Sequence, residues 1–141
     1  MTVDGMRVVA LEEHYWDPEI AKHFEATDGR APEIRKRLLD LGSLRLQEMD
    51  DAGVDLQVIS HGNPGVQRMD AETAVPLAKQ ANDNLAEMTS AYPDRFAAFA
   101  TLPTPSPEAA ADELERSVKD LHFKGALVNG PTNGTRNPSR A

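Results

Sequence analysis

Four short apolar segments interrupt a largely polar chain: RVVALEEH (7–14), DLQVIS (55–60), FAAFATL (96–102) and GALVNG (125–130). The last three follow no helical period, and Gly, Pro or polar residues bound them. All four are expected as strands. Between them the apolar spacing changes. Ala74, Ala78, Ala81, Leu85, Met88 and Tyr92 recur at steps of three and four, which predicts one helix face over 71–92. Asp70 suits its N-cap, and Pro93 stops it. A second helix is expected over 107–121, capped by Ser106, with Pro107 at its first position and a stripe of Ala111, Leu114, Val118 and Leu121. A third covers 33–52, carries Ile34, Leu38, Leu41, Leu46 and Met49, and ends at Gly53 in the left-handed region. Gly42 is placed to divide it in two. Pro18 and the Glu19–Glu25 stretch suggest a short helix within the long loop 15–32.

The order is strand, long loop and helix, strand, helix, strand, helix, strand. Such alternation predicts an α/β fold with a parallel sheet and right-handed crossovers. Four such units make either an open sheet or the first half of a TIM (β/α)₈ barrel, a fold of about 250 residues. Pattern alone does not choose between the two. The segment GPTNGTRNPSRA (130–141) is turn-rich and without apolar pattern. One ordered domain is therefore expected over 1–130, followed by a disordered tail over 131–141.

Composition narrows the function. At 141 residues the chain holds one modest domain. A net charge of −8 argues against nucleic-acid and anionic-membrane surfaces as partners. Without cysteine there is no disulfide framework, thiolate nucleophile or Cys-based metal site. No apolar run is long enough to span a bilayer, and MTVDGMR lacks the pattern of a signal peptide, so a cytoplasmic location is expected.

The chemistry concentrates where the first strand ends in Glu12, Glu13 and His14. Strand alternation would put Glu12 and His14 on one face and Glu13 on the other. The C-terminal ends of parallel strands are where ligands bind. A carboxylate and an imidazole there suit Zn²⁺ or Mn²⁺, although a complete site needs at least a third ligand. By spacing alone, two solvated loop residues explain the pair equally well. Glu13 reads as a structural or surface residue, placed to pair with an arginine. His61, after the second strand, reads either as a substrate contact or as an exposed loop histidine. Asn129 ends the fourth strand on the same edge. His23, His122, Asp83 and Glu87 read as surface residues.

Together VALEEHY (9–15), ISHGNPGVQ (59–67), ANDNLAEM (81–88), YPDRFAAFATLP (92–103) and FKGALVNG (123–130) resemble the N-terminal half of the amidohydrolase-related decarboxylases. These include the γ-resorcylate, 2,3-dihydroxybenzoate, 5-carboxyvanillate and, more distantly, aminocarboxymuconate-semialdehyde decarboxylases. The resemblance implies a (β/α)₈ barrel that binds one divalent metal, Zn²⁺ or Mn²⁺, and uses no organic cofactor. It puts metal ligation on Glu12 and His14, and makes Asn63, Pro64 and Asn129 substrate-pocket residues, beside His61, whose place after the second strand makes it a candidate substrate contact. His61 and Gly62 depart from the residues expected in γ-resorcylate-type enzymes. The implied reaction is non-oxidative removal of the carboxyl group of a small aromatic acid. The remaining ligands and the proton-transfer residues of the family belong to its second half, so the expectation is a barrel truncated after strand 4 and inactive alone. Unpaired sheet edges would then favour a homo-oligomer. Two other readings stand beside this one: a metal-dependent hydrolase of C–N or C–O bonds, and a non-catalytic half-barrel that binds or oligomerises. An open nucleotide-binding sheet is poorly supported, because no glycines follow strand 1.

Overall fold

The computed structural model describes residues 5–134. Its frame is a four-stranded, all-parallel sheet in the order β1-β2-β3-β4: β1 Val9–Tyr15, β2 Leu56–His61, β3 Phe96–Ala100 and β4 Gly125–Ala126. The helices are α1 Pro18–Ala21, α2 Pro32–Leu39, α3 Ser43–Ala52, α4 Ala71–Ala91 and α5 Pro107–Lys119. Gly42 divides α2 from α3, and Gly53 closes α3 at φ 73°. Asp70 caps α4 by accepting the Thr73 N–H at 2.9 Å. Ser106 caps α5, and Pro107 opens it.

One face of the sheet packs on the helices. Tyr15, Ile59, Phe96, Ala98 and Ala100 meet Met49, Leu85 and Phe123 in the main core. Ala74, Ala78 and Ala81 of α4 pack with Ile20 and Val66 in a second cluster. Alternation puts Val58, Ala97 and Phe99 on the opposite face. Val9 and Leu11 on β1, and Val128 just past β4, are 48%, 62% and 52% exposed. Among the described residues the outer edges of β1 and β4 are unpaired. This is the layout of half an eight-stranded barrel.

Three expectations need correction. The fourth strand shrinks from 125–130 to Gly125–Ala126, because the Gln67 carboxamide takes over the backbone that follows. It accepts the Asn129 N–H at 2.7 Å and donates to the carbonyls of Asn129 and Gly130 at 2.7 and 3.1 Å. The buried face of α5 is Ala110, Glu113 and Ser117, while Ala111 is exposed, Val118 is 44% exposed and Leu114 is half-buried. A polar network from Glu113 and Arg116 to Asn82 and Asp83 of α4 sets that rotation. Tyr92 lies just past α4 and is 44% exposed, with its ring edge-on to Phe96. At the end of the chain, Thr132–Gly134 form a 3₁₀ turn, and the Asn133 N–H donates to the Gln67 carbonyl at 3.1 Å. The remainder of the expected tail, 135–141, lies outside the described residues.

Candidate metal centre and substrate rim

A bulge shapes the end of β1. Ala10 pairs with Gln57 but Glu13 pairs with Ile59, so three steps on β1 oppose two on β2. The extra residue reverses the side-chain alternation of all that follows it. An unbulged strand would turn residues 12 and 14 to the side of Ala10 and Gln57, which is the helix side. With the bulge, Glu13 and Tyr15 face the helices, and His14, paired with Ser60, faces away from them. Simple alternation therefore does not describe Glu12 and His14. Glu12 is the bulged residue itself, exposed, with a left-handed backbone at φ 59°. That conformation costs a residue other than glycine about 1–2 kcal/mol, and such strain gathers at functional sites.

His14 is half-buried, and its Nδ1 lies 3.0 Å from Ser60 Oγ. Its backbone is fixed from the helix side by Arg45, 8% exposed. The guanidinium donates to the His14, Asp40 and Arg37 carbonyls at 2.9, 2.9 and 3.2 Å and to Gln57 Oε1 at 3.2 Å. Glu13 lies beside it, on a cavity of about 210 Å³ that Arg37, Arg45 and Glu48 also line. Glu13 shares this cavity with two arginines but among the described residues forms no ion pair with either; Arg37 pairs instead with Glu48 at 2.7 Å.

The ends of β1 and β2 are stitched together. The Gly62 N–H donates to the Tyr15 carbonyl at 2.9 Å, and the Asp17 N–H donates to His61 Nε2 at 2.9 Å. His61 is not an exposed loop residue. It ends β2, is 4% exposed, and its Nδ1–H donates to the Gly62 carbonyl at 2.8 Å. Both ring nitrogens are engaged, so the ring serves the frame. The neighbouring Gly62 is needed for space: an added Cβ would stand 3.1 Å from Trp16 Nε1. His61 and Gly62 are thus fitted to Asp17 and Trp16 respectively.

Burial pushes the His61 pKa down to about 4, against the opposing pull of the Gly62 carbonyl and Asp17 and with a small push from His14. The unfolded imidazole titrates near 6.5, so the unfolded state binds the extra proton first as pH falls. The chain should therefore lose stability, on the order of 3 kcal/mol, as pH drops from about 6.5 to about 4. Proton NMR of the His61 ring checks this, and a midpoint near 6.5 would contradict it.

The adjacent Asn63 and Pro64 and the sequence-distant Asn129 line one cleft of about 460 Å³ with Gln67 and Arg68. The Gln67 clasp brings them together. His61 does not line this cleft. Arg45 and Gln67 were not singled out in the sequence. His23 and His122 are exposed, as expected.

Oxygen and imidazole donors at a strained strand end fit the chemistry of a divalent cation. The pair alone does not complete such a site: among the described residues no group of three or more His, Asp or Glu is placed to hold a metal ion.

A family model described as Amidohydrolase matches residues 12–141. The chain belongs to the amidohydrolase family. It is 45% identical over 128 residues to a γ-resorcylate decarboxylase of a Rhizobium species, covering 86% of this chain and 38% of that protein. It also superposes on solved structures. One is a dihydroxybenzoic acid decarboxylase from Polaromonas sp., with bound manganese and the inhibitor 2-nitroresorcinol. The TM-score is 0.81 and the identity 43%, over 89% of this chain and 39% of that one. Another is a 5-carboxyvanillate decarboxylase from Novosphingobium aromaticivorans, complexed with manganese and 4-hydroxy-3-methoxy-5-nitrobenzoic acid. Here the TM-score is 0.88 and the identity 32%, over 93% and 44%. This amidohydrolase chain thus spans about two fifths of the proteins it matches. No helix among the described residues is long and apolar enough to cross a membrane.

Proposed function

We propose that this chain is the N-terminal, metal- and substrate-bearing part of a decarboxylase of hydroxybenzoate-like acids. The observation that supports this most is the bulge on β1. It turns His14 to the open face of the sheet and holds Glu12 in a strained backbone at the same rim, in a chain 45% identical to a γ-resorcylate decarboxylase. Glu12 and His14 would hold a divalent cation, Mn²⁺ or Zn²⁺, which when bound supplies positive charge to the substrate carboxylate and a neighbouring oxygen. Asn63, Pro64 and Asn129 would flank the aromatic ring in their cleft. In the reaction the bond from ring carbon to carboxyl breaks, CO₂ leaves, and a proton takes its place on that carbon. Among the described residues no group of three or more donors is placed to complete the metal site. The chain alone is therefore expected to be inactive, and pairing of two copies through the free edges of β1 and β4 would cover its open face.

A chimera tests the reading. Residues 7–130 replace the corresponding part of the Rhizobium γ-resorcylate decarboxylase. CO₂ release from γ-resorcylate in the presence of Mn²⁺ is expected, and loss of that release in the H14A chimera. A folded, Mn²⁺-loaded chimera without activity would sink the proposal. The isolated chain, assayed in parallel, should release no CO₂ above background. Release by that chain would overturn its inactivity alone.

A further inference from the structure

Ser60 is fully buried in β2, and its Oγ lies 3.0 Å from His14 Nδ1. The two residues are partners across the parallel ladder, so their side chains stand on the same face. His14 Nε2 has no hydrogen-bond partner among the described residues, and the ring is only half-buried. Arg45 fixes the His14 carbonyl. What remains to be fixed is the ring, and Ser60 is the group that touches it.

A neutral imidazole carries one proton, and its tautomer decides what the other nitrogen does. If the Ser60 hydroxyl donates to Nδ1, the outer nitrogen is an N–H and repels a cation. If Ser60 accepts from Nδ1–H, the outer nitrogen presents a lone pair. We propose that Ser60 is a positioning residue. Its Oγ accepts the His14 Nδ1–H and holds the ring with a bare Nε2 directed at the strand-end rim, ready for a divalent cation. This rests on His14 being a metal ligand, as proposed above. A partner on the far nitrogen is the usual device that orients a ligand histidine and raises its basicity.

The test reads the tautomer directly, by long-range ¹H–¹⁵N correlation of the His14 ring in the intact chain at pH 8. Comparison with H14Q assigns the signals. Wild type is expected to carry the proton on Nδ1, S60A to move it toward Nε2, and S60T, which keeps the hydroxyl, to restore the wild-type pattern. Mn²⁺ titration of the chimera that carries residues 7–130, followed by electron paramagnetic resonance, should show S60A about 10- to 100-fold weaker than wild type, with S60T close to wild type. An Nε2–H tautomer in wild type, or an unchanged tautomer in S60A, overturns the proposal. If S60A does not fold, the wild-type tautomer and S60T decide it. If the tautomers behave as expected but neither wild type nor S60A binds Mn²⁺, Ser60 still places the ring, and the metal reading of Glu12 and His14 fails instead.

Discussion

Asn82→Leu should destabilise the chain by about 3 kcal/mol or more, although leucine is apolar and close in size to asparagine. Asn82 is fully buried on α4. Its Oδ1 accepts the Thr101 N–H at 2.9 Å, and its Nδ2 donates to the Thr101 carbonyl at 2.9 Å and to Glu113 Oε1 at 3.0 Å. It thus stands in for a strand at the point where β3 ends. Leucine would leave an N–H, a carbonyl and part of a carboxylate buried without partners, each lacking about 1–3 kcal/mol of hydrogen bonding. Glu113 keeps Arg116, at 2.6 and 3.0 Å, which limits the loss. Asp83→Asn is the contrast. Asp83 meets the same arginine at 2.6 Å, but half of its side chain is exposed, and pairs of that kind contribute about 1 kcal/mol or less. Urea unfolding of the two variants measures the gap. Equal midpoints would show that the buried network contributes no more than the surface pair.

The same network explains where the sequence was legible and where it was not. β2, β3 and the frame of α4 could be read because their apolar spacing answers directly to burial. α5 misled because its buried face is Ala110, Glu113 and Ser117. Glu113 must reach Asn82, and Arg116 must reach Asp83 and the Lys79 carbonyl. Those polar contacts turn the helix about one residue away from its apolar stripe. Asn82 itself carried a signal, since it falls four residues from Ala78 and from Ala86, in line with the buried row. Glu12 and His14 stood out as chemistry, but the bulge that orients them did not, because Ala10, Leu11 and Glu12 contain no glycine to mark a left-handed residue. His61 was placed outside the frame because it follows an apolar run. Its burial depends on the Asp17 N–H, 44 positions away in the chain, and no local pattern records such a partner.

Glu12→Gly should weaken Mn²⁺ binding by at least about tenfold while leaving stability unchanged or raising it by up to about 1 kcal/mol. The two halves of this expectation have separate causes. At φ 59° the glutamate backbone is strained and glycine's is not, and the exposed side chain makes no hydrogen bond among the described residues that glycine would forfeit. A purely structural residue at this bulge would be better as glycine. A carboxylate kept there against the backbone's preference points to work done by its oxygens. His14→Ala should weaken Mn²⁺ binding to a similar degree but also cost stability, because it leaves the buried Ser60 hydroxyl without its partner. Isothermal calorimetry for Mn²⁺ on the chimera that carries residues 7–130, and thermal unfolding of the chain without metal, separate the two. If Glu12→Gly binds Mn²⁺ as wild type does, Glu12 is not a ligand and the strained bulge serves only to aim His14. If it binds weakly and unfolds at a lower temperature, the carboxylate holds the bulge itself, and the loss of metal follows from the loss of shape.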